Sequence, residues 1–207
     1  MEPAEILLVD DGSTDGTPAM MQSLAAADRR IRIVRFRRNA GQTAAFDAGF
    51  KAARGDAVVT LDADGQNDPA DIPRLLPLLA QAEAVCGIRA KRNDTWVRRL
   101  SSRVGNGVRN WATGDDIVDT GCSLKAFRRP ILARFQLYTG MHRFFPTLVK
   151  FAGGRVVQLA VNHRQRQGGT AKYGIGNRMF RTLADLLAVM WMKKRWLRYE
   201  VLEEPKP

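Results

Sequence analysis

The chain has 207 residues, of which 45% are hydrophobic and 26% are charged, and this is the composition of an ordinary globular protein. Its length predicts one domain, or one domain with an appendage, that buries a substantial core. No run of about 18 apolar residues occurs, so no membrane-spanning helix is predicted, and no signal-peptide pattern is found. Cys86 and Cys122 stand in apolar contexts without metal-binding or redox spacing, which predicts reduced core cysteines of a cytosolic protein.

The net charge of +12 is unevenly distributed along the chain. Residues 1–84 contain 9 Lys and Arg against 13 Asp and Glu, whereas residues 85–207 contain 24 against 8. The basic second half predicts an anionic partner, which by charge alone is a phosphate, a nucleic acid or an anionic bilayer. The alternative is a solvated basic surface without a partner.

Strands and helices alternate in the first half of the chain. Short apolar runs that end in turn-rich loops predict strands, and Thr-Pro and Asp-Pro caps followed by helical spacing predict helices. The predicted strands are residues 6–9, 31–36, 57–61 and 84–88, and the predicted helices are residues 17–27, 41–54 and 69–81. This alternation is typical of an α/β protein with a mostly parallel, doubly wound sheet flanked by helices.

The second half of the chain is less regular, and it ends in a separate amphipathic helix. The predicted elements are a basic helix over 95–112, a strand within 117–127, a helix over 141–152, a strand over 155–161, a polar loop over 162–176 and an amphipathic helix over 177–198. We expect one domain over residues 1–176 and an appended helix and tail over residues 177–207.

Two carboxylates follow the third predicted strand. Asp62 and Asp64 come directly after it and Gln66 continues the alternation, so an extended segment would point three oxygen-bearing side chains the same way. Like charges this close need a cation or a proton between them. Mg²⁺ or Mn²⁺ prefers such oxygen ligands and keeps waters and phosphate oxygens in its other positions. The alternative is a turn that caps the next helix, although Asp68 already supplies that cap.

A second acidic pair, Asp10 and Asp11, follows the first predicted strand. Ligands of doubly wound sheets bind at the carboxyl ends of strands, so the two acidic pairs are expected to face one pocket. Ionised carboxylates accept hydrogen bonds, which suits a ribose or a base. The alternative is that these acids and Ser13 only organise a tight turn.

Six motifs together resemble one family. In chain order they are V-D-D-G-S-T-D-G-T at 9–17, N-A-G-Q at 39–42, L-D-A-D-G-Q-N-D-P at 61–69, D-T-G-C-S-L-K-A-F-R-R at 119–129, G-M-H-R-F at 140–144 and K-Y-G at 172–174. The chain is similar to the family-two glycosyltransferases of GT-A fold and, among them, to the polyprenyl-phosphate glycosyltransferases of the dolichol-phosphate mannosyltransferase-like group. The similarity covers residues 5–176, and the joint order of the motifs makes it specific.

The resemblance implies a role for each matching residue. The nucleotide-sugar donor would contact Asp10, Asp11, Gly12, Asp62, Arg166 and Lys172, and the metal ion, Mg²⁺ or Mn²⁺, would be held by Asp62, Asp64 and Gln66. Asp64 and Asp119 would act in catalysis, and the acceptor phosphate would contact Arg89, Arg98 and Ser102. The implied reaction is an inverting transfer of a hexosyl group to a polyprenyl phosphate. The implied location is an anionic membrane surface, with the enzyme peripheral on the cytoplasmic face.

The charges agree with this implication. A lipid phosphate is largely a dianion at neutral pH, because its second pKa is about 6, so it needs no general base to become a nucleophile. It does need cations beside an anionic donor, and the planar arginine fork matches phosphate oxygens. Asp119 is therefore expected to position a group or stabilise charge. His142 and His163 have no ligand spacing and are expected to pack or to form hydrogen bonds.

The last predicted helix carries an apolar face between cations. The apolar residues are Leu183, Leu186, Leu187, Met190 and Trp191, and the cations are Arg178, Arg181, Lys193, Lys194, Arg195 and Arg198. Cations and tryptophans that flank an apolar stripe suit a helix lying on a membrane surface. The alternative is a helix docked on the domain or on a second subunit of a homo-oligomer.

The chain departs from the family pattern at its beginning. Family members usually start with an additional strand and a loop that contacts the base, whereas only residues 1–5 precede the first strand here. The strand expected beside residues 57–61 is therefore missing, and an inactive truncated form is one interpretation.

The chain lacks the motifs that several other functions require. Met192 takes the place of Gln in the Q-x-x-R-W motif of processive synthases, which argues against that branch. A saccharide or a lipid-linked saccharide is the alternative acceptor. A nucleic-acid-binding module is disfavoured, because no such motif occurs and aromatic residues do not alternate with the basic ones. The donor base and sugar are not determined by the sequence.

Overall fold

The computed structural model describes residues 4–89, 96–164 and 175–197. In this part of the chain the strands are β1 (Ile6–Asp10), β2 (Ile31–Arg35), β3 (Ala57–Thr60), β4 (Ala84–Arg89), β5 (Lys125–Arg128) and β6 (Val156–Val161). The α-helices are α1 (Thr17–Ala27), α2 (Gln42–Ala52), α3 (Ile72–Leu75), α4 (Trp96–Thr113), α5 (Arg129–Leu132), α6 (Phe145–Phe151) and α7 (Ile175–Arg195). The predicted α/β class and the order of strands and helices are confirmed.

The described strands form two sheets, one parallel pair and one four-stranded sheet of mixed direction. β1 and β2 pair in parallel, from Ile6 opposite Ile31 to Asp10 opposite Arg35. The other sheet has the order β3-β5-β4-β6, in which β4 and β6 are parallel while β5 is antiparallel to both of its neighbours. The predicted mostly parallel arrangement is confirmed for β3, β4 and β6, whereas the single sheet that we expected is corrected to two sheets. In the four-stranded sheet β5 alone runs backwards. The reason is that the chain leaves β4 through α4 and enters β5 from the same edge, so it runs back against β4.

Prolines divide the helix that was predicted over residues 69–81. The segment is a 3₁₀ turn (Pro69–Asp71), the short α3 and a second 3₁₀ turn (Leu76–Ala80), and each piece begins with a proline in its first two residues. A proline has no backbone N–H to continue the preceding helical ladder, so each one restarts the turn. Asp68 caps the segment as predicted, because its side chain accepts a hydrogen bond from the Ala70 N–H.

The four-stranded sheet is packed on both faces. On one face, phenylalanines of α2, β5 and α6 pack together; the ring centroids of Phe50 and Phe145 lie 5.3 Å apart in a tilted pair, and those of Phe46 and Phe145 lie 5.4 Å apart in an edge-to-face pair. On the other face, Leu75 and Leu79 pack against β4 and β5. Burial of these apolar side chains supplies the main stabilisation and fixes the strand ends that carry polar residues.

The two sheets are joined by α2 and not by strand pairing. A side chain at Gly49 would touch Val9 of β1, and Phe50 of the same helix packs against Phe127 of β5. Among the described residues β1 pairs with β2 alone and β3 with β5 alone, and Ile6 of β1 keeps 44% of its surface exposed. The expectation that a strand usual in the family is missing beside residues 57–61 stays a prediction.

The last helix, α7, is docked on the domain. Leu186, Val189 and Met192 are buried in the same core cluster as the phenylalanines, and α7 also packs against α4. No helix in the described part of the chain is both long enough and apolar enough to cross a bilayer.

Candidate active site

The carboxyl ends of three strands meet at one edge of the four-stranded sheet. β3 and β4 both run against β5 and are therefore parallel to each other, and β6 is parallel to β4. Asp62 follows β3 and Arg89 ends β4, with one strand between them, so the two segments are separated by two strand spacings, or about 10 Å. This edge therefore carries Asp62 of the predicted donor set and Arg89 of the predicted acceptor set.

Asp10, at the end of β1, is buried and holds a turn. It is 3% exposed, its Oδ1 accepts a hydrogen bond of 2.8 Å from the Ser13 N–H, and its Oδ2 lies 3.3 Å from Nε of Arg35. The hydrogen bonds from Ser13 lower the pKa of Asp10 below its usual value. Asp10 is thus an ionised carboxylate that shapes the turn after β1.

Asp11 organises the loop that contains the N-A-G-Q motif. Its carboxylate accepts hydrogen bonds from the N–H of Ala40 (2.7 Å), the N–H of Gly41 (3.0 Å) and Nδ2 of Asn39 (2.8 Å). Gly12 has φ +74°, and a Cβ there would lie 2.5 Å from the carbonyl carbon of Arg38. The turn after β1 and the loop before α2 are therefore fitted to each other at a residue where only glycine leaves enough room.

The next residue of the same loop reaches the second acidic motif. Gln42, at the first position of α2, donates its Nε2–H to Oδ1 of Asp62 over 2.9 Å. The loop of residues 39–42 thereby connects Asp11 to Asp62, although these acids belong to different sheets. That the two acidic pairs face one pocket stays a prediction, and this loop is the contact that links them.

The segment that carries Asp62, Asp64 and Gln66 is a turn. Oδ1 of Asp64 accepts from the Gln66 N–H (3.1 Å), and Gly65 adopts φ +75°. The extended conformation predicted for residues 62–66 was wrong, because Asp64 satisfies a backbone donor within its own loop and Gly65 permits the left-handed bend. The three oxygen-bearing side chains still lie on one loop, and all three are half-buried.

Asn67 and Ser123 anchor this turn to the start of β5. Oδ1 of Asn67 accepts from the Asp62 N–H (3.2 Å) and from Oγ–H of Ser123 (2.7 Å), so the turn is tied to the start of β5. Lys125, which is 4% exposed, donates to the carbonyl oxygen of Cys122 and supports the same region of the chain. Asn67 and Ser123 lie inside motifs of the sequence analysis, but nothing in their spacing showed that they would meet.

The chain that leaves β6 passes along the same turn. His163 forms an antiparallel bridge with Asn67, and the Arg164 N–H donates to the Gln66 carbonyl oxygen (2.9 Å). Arg164 also forms an ion pair of 2.6 Å with Asp68, and Nε2 of His163 lies 3.4 Å from Nε2 of Gln66. Arg166 and Lys172, which were predicted to clamp the donor, follow in the chain and lie outside the described residues.

The donor set of the turn suits a hard divalent cation. Two carboxylates and an amide oxygen are ligands of the kind that Mg²⁺ and Mn²⁺ prefer, and phosphate oxygens and waters complete such a shell. No three His, Cys, Asp or Glu side chains in residues 4–89, 96–164 and 175–197 form a complete metal cage. The oxygen ligands of Asp62, Asp64 and Gln66 are of the type that suits a cation also bound by phosphate oxygens.

Arg89 and Asp119 form a buried, bidentate ion pair. Nε of Arg89 lies 2.7 Å from Oδ2 of Asp119, and Nη2 of Arg89 lies 2.8 Å from Oδ1. The same carboxylate accepts from the N–H of Arg89 (3.2 Å) and the N–H of Gly121 (3.1 Å). The Asp119 side chain is 6% exposed and the Arg89 side chain 18%. Both oxygens of Asp119 are thus occupied in orienting a guanidinium at the sheet edge.

The other predicted acceptor residues lie on α4. Arg98 and Ser102 belong to the first turns of this helix, and their side chains lie outside the described residues. Further along, Arg109 is 7% exposed and donates to the carbonyl oxygen of Ile117, and it lies 3.7 Å from Asp115. This buried arginine shapes the loop that carries Asp119.

Thr43, the residue after Gln42 on α2, contacts His142 of the 3₁₀ turn Met141–Phe144. Oγ1 of Thr43 accepts from the Gly140 N–H (3.1 Å) and forms a hydrogen bond of 2.9 Å with Nδ1 of His142. Burial, aided by Arg143 and Lys125, lowers the pKa of His142 to about 4. The prediction that His142 forms hydrogen bonds is confirmed, and it is neutral near pH 7.

A family model assigns the chain. The model described as "Glycosyl transferase family 2" matches residues 1–135, which is more than half of the chain. The chain belongs to glycosyltransferase family 2. This confirms the family that the motifs indicated.

Curated relatives of this family-two glycosyltransferase act on lipid phosphates, according to their names. It is 40% identical over 196 residues to a dodecaprenyl-phosphate galacturonate synthase of Rhizobium johnstonii, covering 92% of this chain and 58% of that protein. It is 38% identical over 188 residues to an undecaprenyl-phosphate 4-deoxy-4-formamido-L-arabinose transferase of Aeromonas hydrophila, covering 90% and 57%. The chain thus spans a little over half the length of the relatives it matches.

Solved structures confirm the GT-A-type fold of this family-two chain. Glucosyl-3-phosphoglycerate synthase from Mycobacterium tuberculosis, in complex with phosphoglyceric acid, superposes with a TM-score of 0.66 at 19% identity, over 91% of this chain and 68% of that one. A mannosyltransferase from Pyrobaculum calidifontis, in complex with GDP-mannose and Mn²⁺, superposes with a TM-score of 0.60 at 20% identity, over 92% and 55%. At these identities the similarity concerns the fold.

Proposed function

We propose that this chain catalyses the inverting transfer of a sugar from a nucleoside diphosphate to a polyprenyl phosphate. The observation that supports this most strongly is the similarity of the chain, at 38–40% identity over nine-tenths of its length, to proteins named for sugar transfer involving undecaprenyl or dodecaprenyl phosphate. That stretch includes the turn of Asp62 and the Arg89–Asp119 pair at one sheet edge. The sugars in the two names differ, one being a uronate and the other a modified arabinose, so the donor sugar is left open.

The donor side of the proposed site is the turn after β3. Asp62, Asp64 and Gln66 would hold Mg²⁺ or Mn²⁺ together with the diphosphate, and the cation would neutralise the charge that develops on the departing nucleoside diphosphate. Gln42 fixes the orientation of Asp62 through its 2.9 Å hydrogen bond. Asp10 and Asp11 shape the loops beside this turn, and the proposed contacts of Gly12, Arg166 and Lys172 with the donor follow the family resemblance.

The acceptor side of the proposed site is the end of β4 and the start of α4. Arg89 would bind the lipid phosphate, with Arg98 and Ser102 as the other proposed ligands. The guanidinium of Arg89 is already oriented by Asp119, which reduces the entropy that phosphate binding would cost. The strongly basic second half of the chain would lower the repulsion between two anionic substrates.

The proposed chemistry needs orientation more than proton transfer. A phosphate oxygen of the acceptor attacks the anomeric carbon while the bond from that carbon to the diphosphate oxygen breaks on the opposite face, which inverts the configuration. The acceptor is already a dianion, so no proton has to be removed. Asp119 accepts four hydrogen bonds, three from Arg89 and one from the Gly121 N–H, which suits a positioning residue. Asp64 would contribute through the metal.

The proposed location is the cytoplasmic face of a membrane. A nucleotide sugar is water-soluble and a polyprenyl chain is a lipid, so both substrates meet at a bilayer surface. We therefore place the enzyme there as a peripheral protein. A saccharide or lipid-linked saccharide is the alternative acceptor.

The test is a transfer assay with the purified chain. A panel of radiolabelled UDP- and GDP-sugars, which includes a uronate and a pentose, is incubated with undecaprenyl phosphate and Mg²⁺ or Mn²⁺. We expect label from one donor to enter the organic phase, chelation to abolish the transfer and added metal to restore it. Asp62→Asn should lower the rate at least about 100-fold.

A matched control is available on the same strand. Asp56 precedes β3 at its other end and has a fully exposed side chain, so Asp56→Asn should leave the rate unchanged. Label that enters only saccharide acceptors would favour the alternative. No transfer with any donor, or equal loss in both variants, would contradict the proposed function.

A further inference from the structure

The imidazole of His142 is linked to the turn that carries Asp62. Nδ1 of His142 forms a hydrogen bond of 2.9 Å with Oγ1 of Thr43. Thr43 follows Gln42 on α2, and the Gln42 side chain donates a hydrogen bond of 2.9 Å to Oδ1 of Asp62. Two neighbouring side chains at the start of one helix therefore hold the histidine and the proposed metal ligand.

A second connection between His142 and this turn runs through the sheet. Lys125 lies opposite Thr60 in the last pair of residues between β3 and β5, and Asp62 follows Thr60 by two positions. Lys125 is 4% exposed, and its charge helps to lower the pKa of His142, so the two side chains are close. His142 therefore lies near the carboxyl edge of the sheet, where the proposed donor site is.

One nitrogen of the His142 ring is held and the other is open. Nδ1 is bonded to Thr43, and the ring packs against Phe46 with the two centroids 6.4 Å apart. Nε2 has no hydrogen-bond partner in residues 4–89, 96–164 and 175–197, and solvent reaches it. The ring is thus oriented through one nitrogen while the other is left for a ligand or water.

The surroundings of His142 keep the ring uncharged near pH 7. Burial lowers its pKa to about 4, with smaller contributions from Arg143 and Lys125. In a neutral imidazole Nε2 either donates or accepts one hydrogen bond. A hydroxyl group can partner it in both cases, whereas a phosphate is matched better by a cation. The open nitrogen therefore suits an uncharged, hydroxyl-bearing ligand.

We propose that Nε2 of His142 binds a hydroxyl group of the donor sugar and helps to select that sugar. This assignment rests on the proposed function, because a nucleotide-sugar donor is what would place a sugar beside the Asp62 turn. In such a donor the sugar is bonded directly to the diphosphate that the cation would hold, so a side chain next to the turn is placed to contact it. The bond to Thr43 fixes the ring before the donor binds, which reduces the entropy lost on binding.

A purely structural role explains less of this arrangement. The hydrogen bond with Thr43 and the packing on Phe46 use Nδ1 and the surface of the ring. Neither contact gives a role to Nε2. If the bond with Thr43 were the whole role of His142, an asparagine would serve as well.

The test separates the two nitrogens of the ring. The amide nitrogen of asparagine is as many bonds from Cα as Nδ1 of histidine, and that of glutamine is as many bonds from Cα as Nε2. His142→Asn therefore keeps a partner for Thr43 and removes the group that is proposed to bind the sugar. His142→Gln keeps a polar group at the position of Nε2 and is the matched control. Both replacements are uncharged.

Binding is measured by calorimetry with Mn²⁺ and without an acceptor. The probes are UDP, GDP and the UDP- and GDP-sugars of the transfer assay, so that each sugar nucleotide is compared with the nucleoside diphosphate of the same base. We expect His142→Asn to bind the preferred sugar nucleotide about 10-fold more weakly, as loss of one hydrogen bond predicts, while the affinity for UDP or GDP is unchanged. His142→Gln should recover most of the lost affinity.

The contact with the sugar is excluded if His142→Asn binds the sugar nucleotide as tightly as the unchanged chain. It is also excluded if the affinity for UDP or GDP falls by the same factor, because the residue then supports the whole site. A defect confined to the KM for polyprenyl phosphate would place His142 at the acceptor and overturn the assignment. In these three cases transfer by the unchanged chain leaves the proposed function standing, whereas a chain that binds neither nucleotide nor sugar nucleotide would contradict both.

Discussion

The side-chain amide of Gln42 donates a hydrogen bond of 2.9 Å to Oδ1 of Asp62, across the boundary between the two sheets. Gln42 opens α2, whose preceding loop is bound by Asp11, while Asp62 follows β3. One loop of four residues therefore couples both acidic motifs. The relationship makes Gln42 a positioning residue for the proposed metal ligand.

The first prediction concerns this residue. Replacement Gln42→Ala should raise the Mn²⁺ concentration needed for half-maximal transfer by about 10-fold or more, as is usual when a group that orients a metal ligand is lost. The measurement is the metal dependence of the rate at saturating donor. Gln22→Ala, on the exposed surface of α1, is the matched control. An unchanged metal dependence in Gln42→Ala would exclude the positioning role.

The second prediction concerns the Arg89–Asp119 pair. Asp119→Leu should lower the free energy of unfolding by about 3–5 kcal/mol, because it leaves a largely buried guanidinium without its carboxylate. The double variant Arg89→Met with Asp119→Leu should recover part of this loss, since no uncompensated charge is then buried. Urea denaturation of the single and double variants measures both.

The same pair has a kinetic consequence. Asp119→Asn should raise the KM for polyprenyl phosphate more than it lowers kcat, because the residue acts through the orientation of Arg89. If kcat fell by several orders of magnitude with an unchanged KM for the acceptor, Asp119 would be a catalytic base instead of a positioning residue.

The third prediction concerns pH and His142. Its pKa is lowered from 6.5 to about 4 in the folded chain, mainly by burial, so protonation favours the unfolded state. The neutral histidine is fully compatible with the fold above pH 6.5, and stability should be lost as the pH falls from there towards 4. At pH 5 the loss is about 2 kcal/mol relative to pH 8.

The comparison with His142→Asn isolates this contribution. Carboxylates with lowered pKa values, such as Asp10 and Asp116, also destabilise the fold in acid, but they are common to both proteins and cancel. The stability advantage of the unchanged chain over the variant should shrink between pH 8 and pH 5. A constant difference across this range would show that the pKa of His142 is the same in the folded and unfolded chain.

The fourth prediction is that replacing two different glycines by alanine changes the stability of the chain in opposite directions. Gly12→Ala should destabilise the chain by about 3 kcal/mol, because its φ is +74° and the new Cβ would lie 2.5 Å from the Arg38 backbone. Gly107→Ala lies within α4 with open space around it, and should stabilise the chain by about 0.5–1 kcal/mol. Chemical denaturation measures both, and equal effects would contradict the close fit of the turn after β1 to the loop of residues 38–41.

Much of the site was predictable from local patterns, and its conformation was not. The position of Asp62, Asp64 and Gln66 after a strand followed from a short apolar run, whereas their turn depends on Asp64 capping its own loop and on the contact with Asn67 and Ser123. The roles of Arg89 and Asp119 came from the family resemblance, and their pairing depends on a register between β4 and the loop after α4 that no periodicity reveals.

By itself, the amino-acid sequence determined the alternation of strands and helices, the acidic motifs at strand ends, the basic second half and the family of this chain. These features are local, because hydrophobic periodicity, caps and short motifs are read over a few residues. Only the tertiary structure decided that β5 runs backwards, that Gln42 reaches Asp62, and that Leu186 is buried while Leu187 is exposed. These features join residues far apart in the chain or separate neighbours on one helix, and packing of the whole molecule sets them.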